Sequence, residues 1–241
     1  MYRLGFLLCD HPMDHLAERF GDYESMFARA FAEVADGFEW VVFDVTAGQL
    51  PPHATACDGY LISGSRHGAY DPLPWIPPLT EFIQQVNATS TPMVGLCFGH
   101  QIIGHALGGA VNKSDKGWGI GVCDYVVDIA EPWMTPPREQ FSIPACHQDQ
   151  ILSLPPGAIR LAGNEHCENF VVRFADNMVG IQGHPEFAVD FLEALIKWRE
   201  SSLSPSTLES ARNSLNKTHD NRLVKSWIVQ FLGLQPGDST T

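Results

Sequence analysis

Basic residues are scarce in this chain. Lys and Arg together number 15 against 28 Asp and Glu, a formal net charge of −13 over 241 residues. Phosphate backbones are held by clustered cations, so this balance argues against a nucleic-acid surface. No apolar run is long enough to cross a bilayer, and Leu4 to Cys9, behind a single Arg, is too short even for the apolar region of a signal peptide. The six cysteines (Cys9, Cys57, Cys97, Cys123, Cys146 and Cys167) contain no C-x-x-C pair and none of the spacings of a zinc site. That pattern signals neither a structural metal nor a disulfide framework and fits a reducing cytoplasm. H-E-x-x-H and Gly-rich phosphate loops are also missing, and His100 and His105, five apart, fall off a common helical face. Neither a metal nor a nucleotide cofactor is expected, and no membrane partner.

What is present is the composition of a globular protein, 44% apolar and 18% charged. The length suits one α/β domain over 1–241. Short runs rich in β-branched or aromatic residues, Leu4 to Leu8, Trp40 to Val45, Tyr60 to Ile62 and Met93 to Leu96, read as buried strands. Between them, Tyr23 to Val34 and Leu79 to Val86 carry helical periodicity, and Pro72 to Pro78, with four prolines, reads as a rigid loop. Strand alternating with helix implies a parallel sheet. After Gly108 the strands come closer together (Val122 to Ile129, Phe141 to Ala145, Ile159 to Ala162, Phe170 to Phe174, Val179 to Gln182), which predicts antiparallel or mixed pairing with a turn at Asp176-Asn177. The end is helical: Phe187 to Trp198, Thr207 to Leu215 and Leu223 to Phe231, with Pro205 between the first two. The polar tail, Gln235 to Thr241, is expected to fray.

The most informative stretch is Thr91 to Gly109. An apolar strand ends at Gly95-Leu96-Cys97-Phe98-Gly99-His100-Gln101, and a helix rich in Ile and Ala follows. Glycines on both sides of Cys97 permit a tight strand-to-helix turn, and a helix N-terminus stabilises a thiolate there. A G-x-S-x-G elbow uses the same logic with serine. On its own the pattern also fits a small residue buried after a core strand. A partner adds weight: Gly183-His184-Pro185-Glu186-Phe187 lies where a late strand ends before a helix, and in parallel sheets ligands bind at the strands' carboxyl ends. His184 is the candidate base for the thiol and Glu186 the candidate group that orients the imidazole, although singly a loop histidine and a helix-start acid need no such roles.

Gly95 to Gln101 resembles the G-x-C-x-G-x-Q signature of class I glutamine amidotransferases, and Gly183-His184-Pro185-Glu186 resembles their H-P-E. The resemblance covers roughly the first 200 residues. It implies a flavodoxin-like α/β fold with a central, mostly parallel sheet flanked by helices, the helices at about 206–233 being an extension of that core. It also implies attack by Cys97 on a γ-glutamyl amide, with His184 and Glu186 completing the triad. Gly59 to Ser65 resembles the family's oxyanion loop, so the backbone N–H of Gly64 or Ser65, with that of Phe98, is expected to face the developing oxyanion. Gln101 matches the position that contacts the glutamyl moiety. At Cys146-His147-Gln148-Asp149 the family carries a substrate-contacting Ser-His pair, of which only His147 carries over. Asp149 is either a ligand for an amine or a solvated carboxylate.

Arg66 to Asp71, Lys116 to Gly121 and His147 to Gln150 resemble the stand-alone, GMP-synthase-like branch that includes γ-glutamyl peptidases. The implied reaction is hydrolysis of a γ-glutamyl amide or peptide through a thioester; Trp118 is either a wall of its pocket or a structural aromatic beside glycines. About fifty residues follow the H-P-E turn, too few for an ATP-dependent synthetase domain. A glutaminase working with a separate synthetase subunit and a non-catalytic regulator remain the alternatives. The acidic balance either keeps the chain soluble or attracts a cationic substrate such as a γ-glutamyl polyamine.

Overall fold

Strand–helix alternation governs the first hundred residues of the computed structural model, which describes residues 1–237. β1 (Tyr2–Leu8) leads to α1 (Asp14–Phe20), α2 (Tyr23–Ala32), the two-residue β2 (Ala35–Asp36) and β3 (Phe38–Asp44). β4 (Gly59–Ile62), α3 (Ile76–Asn87), β5 (Met93–Leu96) and α4 (Phe98–Ala106) follow. The next segment is β-rich: β6 (Ala110–Lys113), β7 (Gly119–Val127), β8 (Gln140–His147), β9 (Asp149–Ser153), β10 (Ile159–Gly163), β11 (Val171–Ala175) and β12 (Met178–Ile181). Three helices, α5 (Val189–Arg199), α6 (Pro205–Ser214) and α7 (Asn221–Leu232), precede β13 (Gln235–Pro236).

Five parallel strands lie side by side in the order β3-β1-β4-β5-β12, and the sheet continues antiparallel through β11, β10, β7 and β8. The parallel half has the flavodoxin-like winding, second strand, first, third, fourth, fifth. Alternation along each strand divides the core between its two faces. Leu4, Phe6, Leu8, Val94, Leu96, Val179 and Ile181 face one layer with Phe27 and Phe31 of α2 and Trp227, Ile228 and Leu232 of α7. Leu7, Ile62, Met93 and Met178 face the other, with Leu79 and Ile83 of α3 and Ile102 and Ile103 of α4.

Three local differences from the sequence reading have simple causes. The proline-rich loop ends early, because Pro77 and Pro78 occupy the first turn of α3, where a missing N–H costs no intrahelical bond. Gln235 and Pro236 do not fray; they pair antiparallel with Asp36 and Ala35. Residues 238–241 of the expected frayed tail lie outside the described residues. Helix α1 and the β6–β9 ribbon went unread, since α1 buries only Leu16 and β6 only Val111, and one apolar residue sets no period.

Candidate active site

Cys97 joins β5 to α4 with φ 52° and ψ −103° and is the one non-glycine residue with positive φ among the described residues. Such a backbone costs on the order of 1–3 kcal/mol and persists only where its surroundings over-determine it. Glycines supply that constraint by letting helix and sheet touch. A Cβ on Gly95 would strike the Gly99 carbonyl, one on Gly99 would strike the Ile62 carbonyl, and one on Gly180 would strike the His100 ring. Helix α4 therefore seats its first turn directly on β4, β5 and β12, and the Cys97 N–H donates to Ile181 O at 2.8 Å.

His184 and Glu186 follow β12, the parallel neighbour of β5. The His184 N–H donates to Pro144 O at 2.8 Å, and the Phe187 ring stacks on the imidazole at 3.9 Å and 4°. Nδ1 of His184 lies 2.7 Å from Glu186 Oε1, both side chains being buried. That bond leaves Nε2 as the nitrogen for Cys97. Burial opposes a charge on this imidazole most strongly, yet the neighbouring Cys97 and Glu186 outweigh it and hold its pKa well above the ordinary value. Gly64 packs against both groups: a Cβ there would stand 3.0 Å from His184 Cε1 and 3.6 Å from Cys97 Cβ. Such a trio can pass a proton between sulfur and nitrogen.

The loop carrying Gly64 follows β4 and is pinned through Ser63, whose Oγ accepts from the Cys9 N–H at 2.9 Å and donates to the Gly64 carbonyl at 2.9 Å. No protein acceptor among the described residues takes the N–H of Gly64, Ser65 or Phe98. Unpaired donors beside a nucleophile can serve a charge that develops there.

Two arms of one cleft meet at Cys97. The first is lined by Ser65, Arg66, Tyr70, Gln101, His147 and Asp149, among others, and is polar. Gln101 is tied into its wall, its Nε2 donating to Asp149 O at 2.9 Å and Gln182 Oε1 at 3.1 Å. His147 is buried with no partner at Nε2, and burial, with His166 nearby, pushes its pKa down to about 3. Asp149 is half-buried, which raises its pKa despite a bond from Tyr70. The second arm runs past His184 and Glu186 and is walled by α2, α5 and the segment after β1.

A family model for glutamine amidotransferase class I matches residues 18–192. The chain belongs to that family. Among its curated relatives in Arabidopsis thaliana, gamma-glutamyl peptidase 3 is 31% identical over 202 residues, covering 80% of each chain. Gamma-glutamyl peptidase 4 is 33% identical over 230 residues, covering 90% of each. The crystal structure of a glutamine amidotransferase from Methylobacillus flagellatus shares the fold, with a TM-score of 0.73 at 21% identity over 100% of this chain and 99% of the other.

In this amidotransferase the residues singled out from sequence, Cys97, His184, Glu186, Gly64, Ser65, Phe98, Gln101 and His147, converge on the carboxyl ends of β4, β5 and β12 and the end of β8. Trp118 does not join them. Its ring carries the Arg199 guanidinium at 4.1 Å and packs beside Ile120 and Leu192, away from the cleft lining. Sequence reasoning missed Asp10, which accepts from the Arg66 side chain at Nε (2.9 Å and 3.0 Å) and from its backbone N–H (2.8 Å). The available signal was an acid just past the end of an apolar parallel strand, where such sheets bind ligands. Cys146, read only as a departure from the family's serine, lines both arms. No group of His, Cys, Asp and Glu among the described residues is arranged to hold a metal, and no described helix is long and apolar enough to cross a membrane.

Proposed function

We propose that this amidotransferase is a stand-alone cysteine hydrolase that cleaves γ-glutamyl amide bonds through a thioester on Cys97. The observation that carries the reading is Cys97 held at positive φ against Gly64 and His184, with His184 paired to Glu186. Nε2 of His184 takes the thiol proton as the sulfur attacks the γ-carbonyl carbon. The oxygen, now negative, takes hydrogen bonds from the N–H of Phe98 and of Gly64 or Ser65. The C–N bond breaks and His184 gives its proton to the departing nitrogen, leaving a γ-glutamyl thioester. Water then loses a proton to His184 and attacks the thioester. The thiolate leaves and regains that proton, and glutamate departs. Glu186 keeps the imidazole in the tautomer that serves both steps. Gln101 and His147, in the polar arm, contact the glutamyl moiety.

The named activity of the two Arabidopsis relatives supports a γ-glutamyl peptide as substrate. We take 1–241 as one domain acting on a small molecule in the cytoplasm, with no cofactor. The test is glutamate release from glutamine and from a panel of γ-glutamyl amines and peptides, for the purified protein and its Cys97→Ala variant. Cys97-dependent release from a γ-glutamyl amine or peptide well above that from glutamine is the expected result. A preference for glutamine would instead mark an ammonia-supplying glutaminase that works with a separate synthetase. Release that survives Cys97→Ala would remove the mechanism.

A further inference from the structure

The two arms of the cleft differ in chemistry, and the position of His184 decides which end of a substrate each one takes. This argument rests on the hydrolase reading above. When Cys97 attacks the carbonyl carbon, the departing nitrogen must lie within reach of the imidazole that protonates it. His184 walls only one arm, together with Gly64 and Glu186. The leaving amine therefore extends into that arm and the glutamyl chain into the other. That other, polar arm suits an amino acid's zwitterion, since Asp71, Asp149, Arg66 and Lys113 all line it.

The His184 arm is walled by Met13, Tyr23, Phe27, Phe187, Leu195 and Trp198. Its two carboxylates are both paired, and of their four oxygens Glu186 Oε2 alone takes no hydrogen bond. Glu186 holds the imidazole. Asp10 accepts from the His11 N–H at 2.8 Å and from the Arg66 N–H and guanidinium, and the Arg66 Nη2 goes on to the His11 carbonyl. An ammonium entering this arm would lose water and find a single carboxylate oxygen not already bonded, Glu186 Oε2, on a group committed to His184, which is a poor exchange. An apolar group would lose only water and gain aromatic and aliphatic contacts. Trp198 is placed to cover such a group: it is 42% exposed and has the Arg199 guanidinium 4.6 Å from its ring.

We infer that the preferred leaving group is an amine bearing an apolar or aromatic substituent, such as the N-terminal residue of a peptide or a hydrophobic amino acid. Leu195, Trp198 and Tyr23 select it. The net charge of −13 does not translate into a local site for a polyamine, because Asp10 is held by Arg66 and Glu186 by His184.

The test compares kcat/KM for γ-glutamyl-phenylalanine, γ-glutamyl-leucine, γ-glutamyl-putrescine and glutamine with the full-length protein. The phenylalanine and leucine compounds should exceed the other two by at least about tenfold, the range that one hydrophobic pocket supplies. Trp198→Ala and Leu195→Ala should each reduce that ratio, and Trp198→Glu, which adds a carboxylate at the mouth, should move preference toward putrescine. Cys97-dependent turnover that favours putrescine or glutamine would overturn the inference and leave the hydrolase reading intact. If no compound is cleaved, the hydrolase reading falls, and binding to the Cys97→Ala variant by calorimetry decides the rest. Tighter binding of γ-glutamyl-phenylalanine than of γ-glutamyl-putrescine supports the pocket assignment, and equal or weaker binding overturns it.

Discussion

A cysteine at φ 52° costs folding free energy that alanine at the same position would cost as well, so the strain itself does not depend on the thiol. Cys97→Ala should therefore abolish glutamate release while leaving the thermal midpoint nearly unchanged, a pair of results that one activity assay and one melting curve supply. His184→Ala removes the group proposed to carry the proton, whereas Glu186→Gln removes only the proposed orienting charge. The second should retain more activity than the first, and equal losses would mean that Glu186 does more than orient. Glu186→Gln also takes away one of the neighbours that raise the His184 pKa against its burial. The imidazole should then lose its proton at a lower pH than in the parent protein, as followed by NMR of its Cε1–H. Gly64→Ala places a methyl 3.0 Å from His184 Cε1. A displaced imidazole is expected to lower kcat by about ten- to a hundredfold with little effect on stability.

At the scale of elements, the site is made where α4 lies on bare glycine, and the C-terminal helices complete the core under the same sheet. Asp220, just ahead of α7, accepts from the Ser142 N–H at 2.8 Å and so ties this helix to β8. Trp227 of α7 is buried between the sheet and the Pro136 carbonyl, to which its Nε1 donates at 3.1 Å. Trp227→Ala should cost about 3–5 kcal/mol in urea unfolding, because the cavity it leaves is walled by strands that cannot collapse. The elbow was legible in sequence because strand, cysteine and both glycines are consecutive, so their geometry is written locally. The apolar arm was not. Tyr23, Leu195 and Trp198 come from α2 and α5 and meet Asp10 only once the winding of the sheet brings them to one edge. Trp118 stayed open between pocket wall and structural aromatic for the same reason: an aromatic between glycines carries no record of which face it packs on, and it packs as a structural one.

Across the whole molecule, strand–helix alternation was enough to foresee the parallel half of the sheet, and close strand spacing the antiparallel half. What spacing could not show was the fate of buried polar groups. His100 and His147 are buried, and burial pushes each to a pKa of about 3 from an ordinary 6.5. Below pH 6.5 the unfolded chain binds protons at these rings that the native protein refuses, so stability falls as pH drops from 6.5 toward 3. Each refused proton contributes about 1.4 kcal/mol per pH unit inside that window. Urea unfolding at pH 6.5 and pH 5 should show the loss, and a flat profile would mean that both rings are charged in the native state.

The central claim is a covalent glutamyl intermediate on Cys97, and its most direct test is acid-quenched mass spectrometry of the intact protein during turnover of γ-glutamyl-phenylalanine. The account predicts a species heavier by one γ-glutamyl unit, located on the peptide that contains Cys97, lost on treatment with hydroxylamine and missing from the Cys97→Ala variant. Turnover with the protein mass unchanged at the shortest quench times, or an adduct on any other residue, would contradict it.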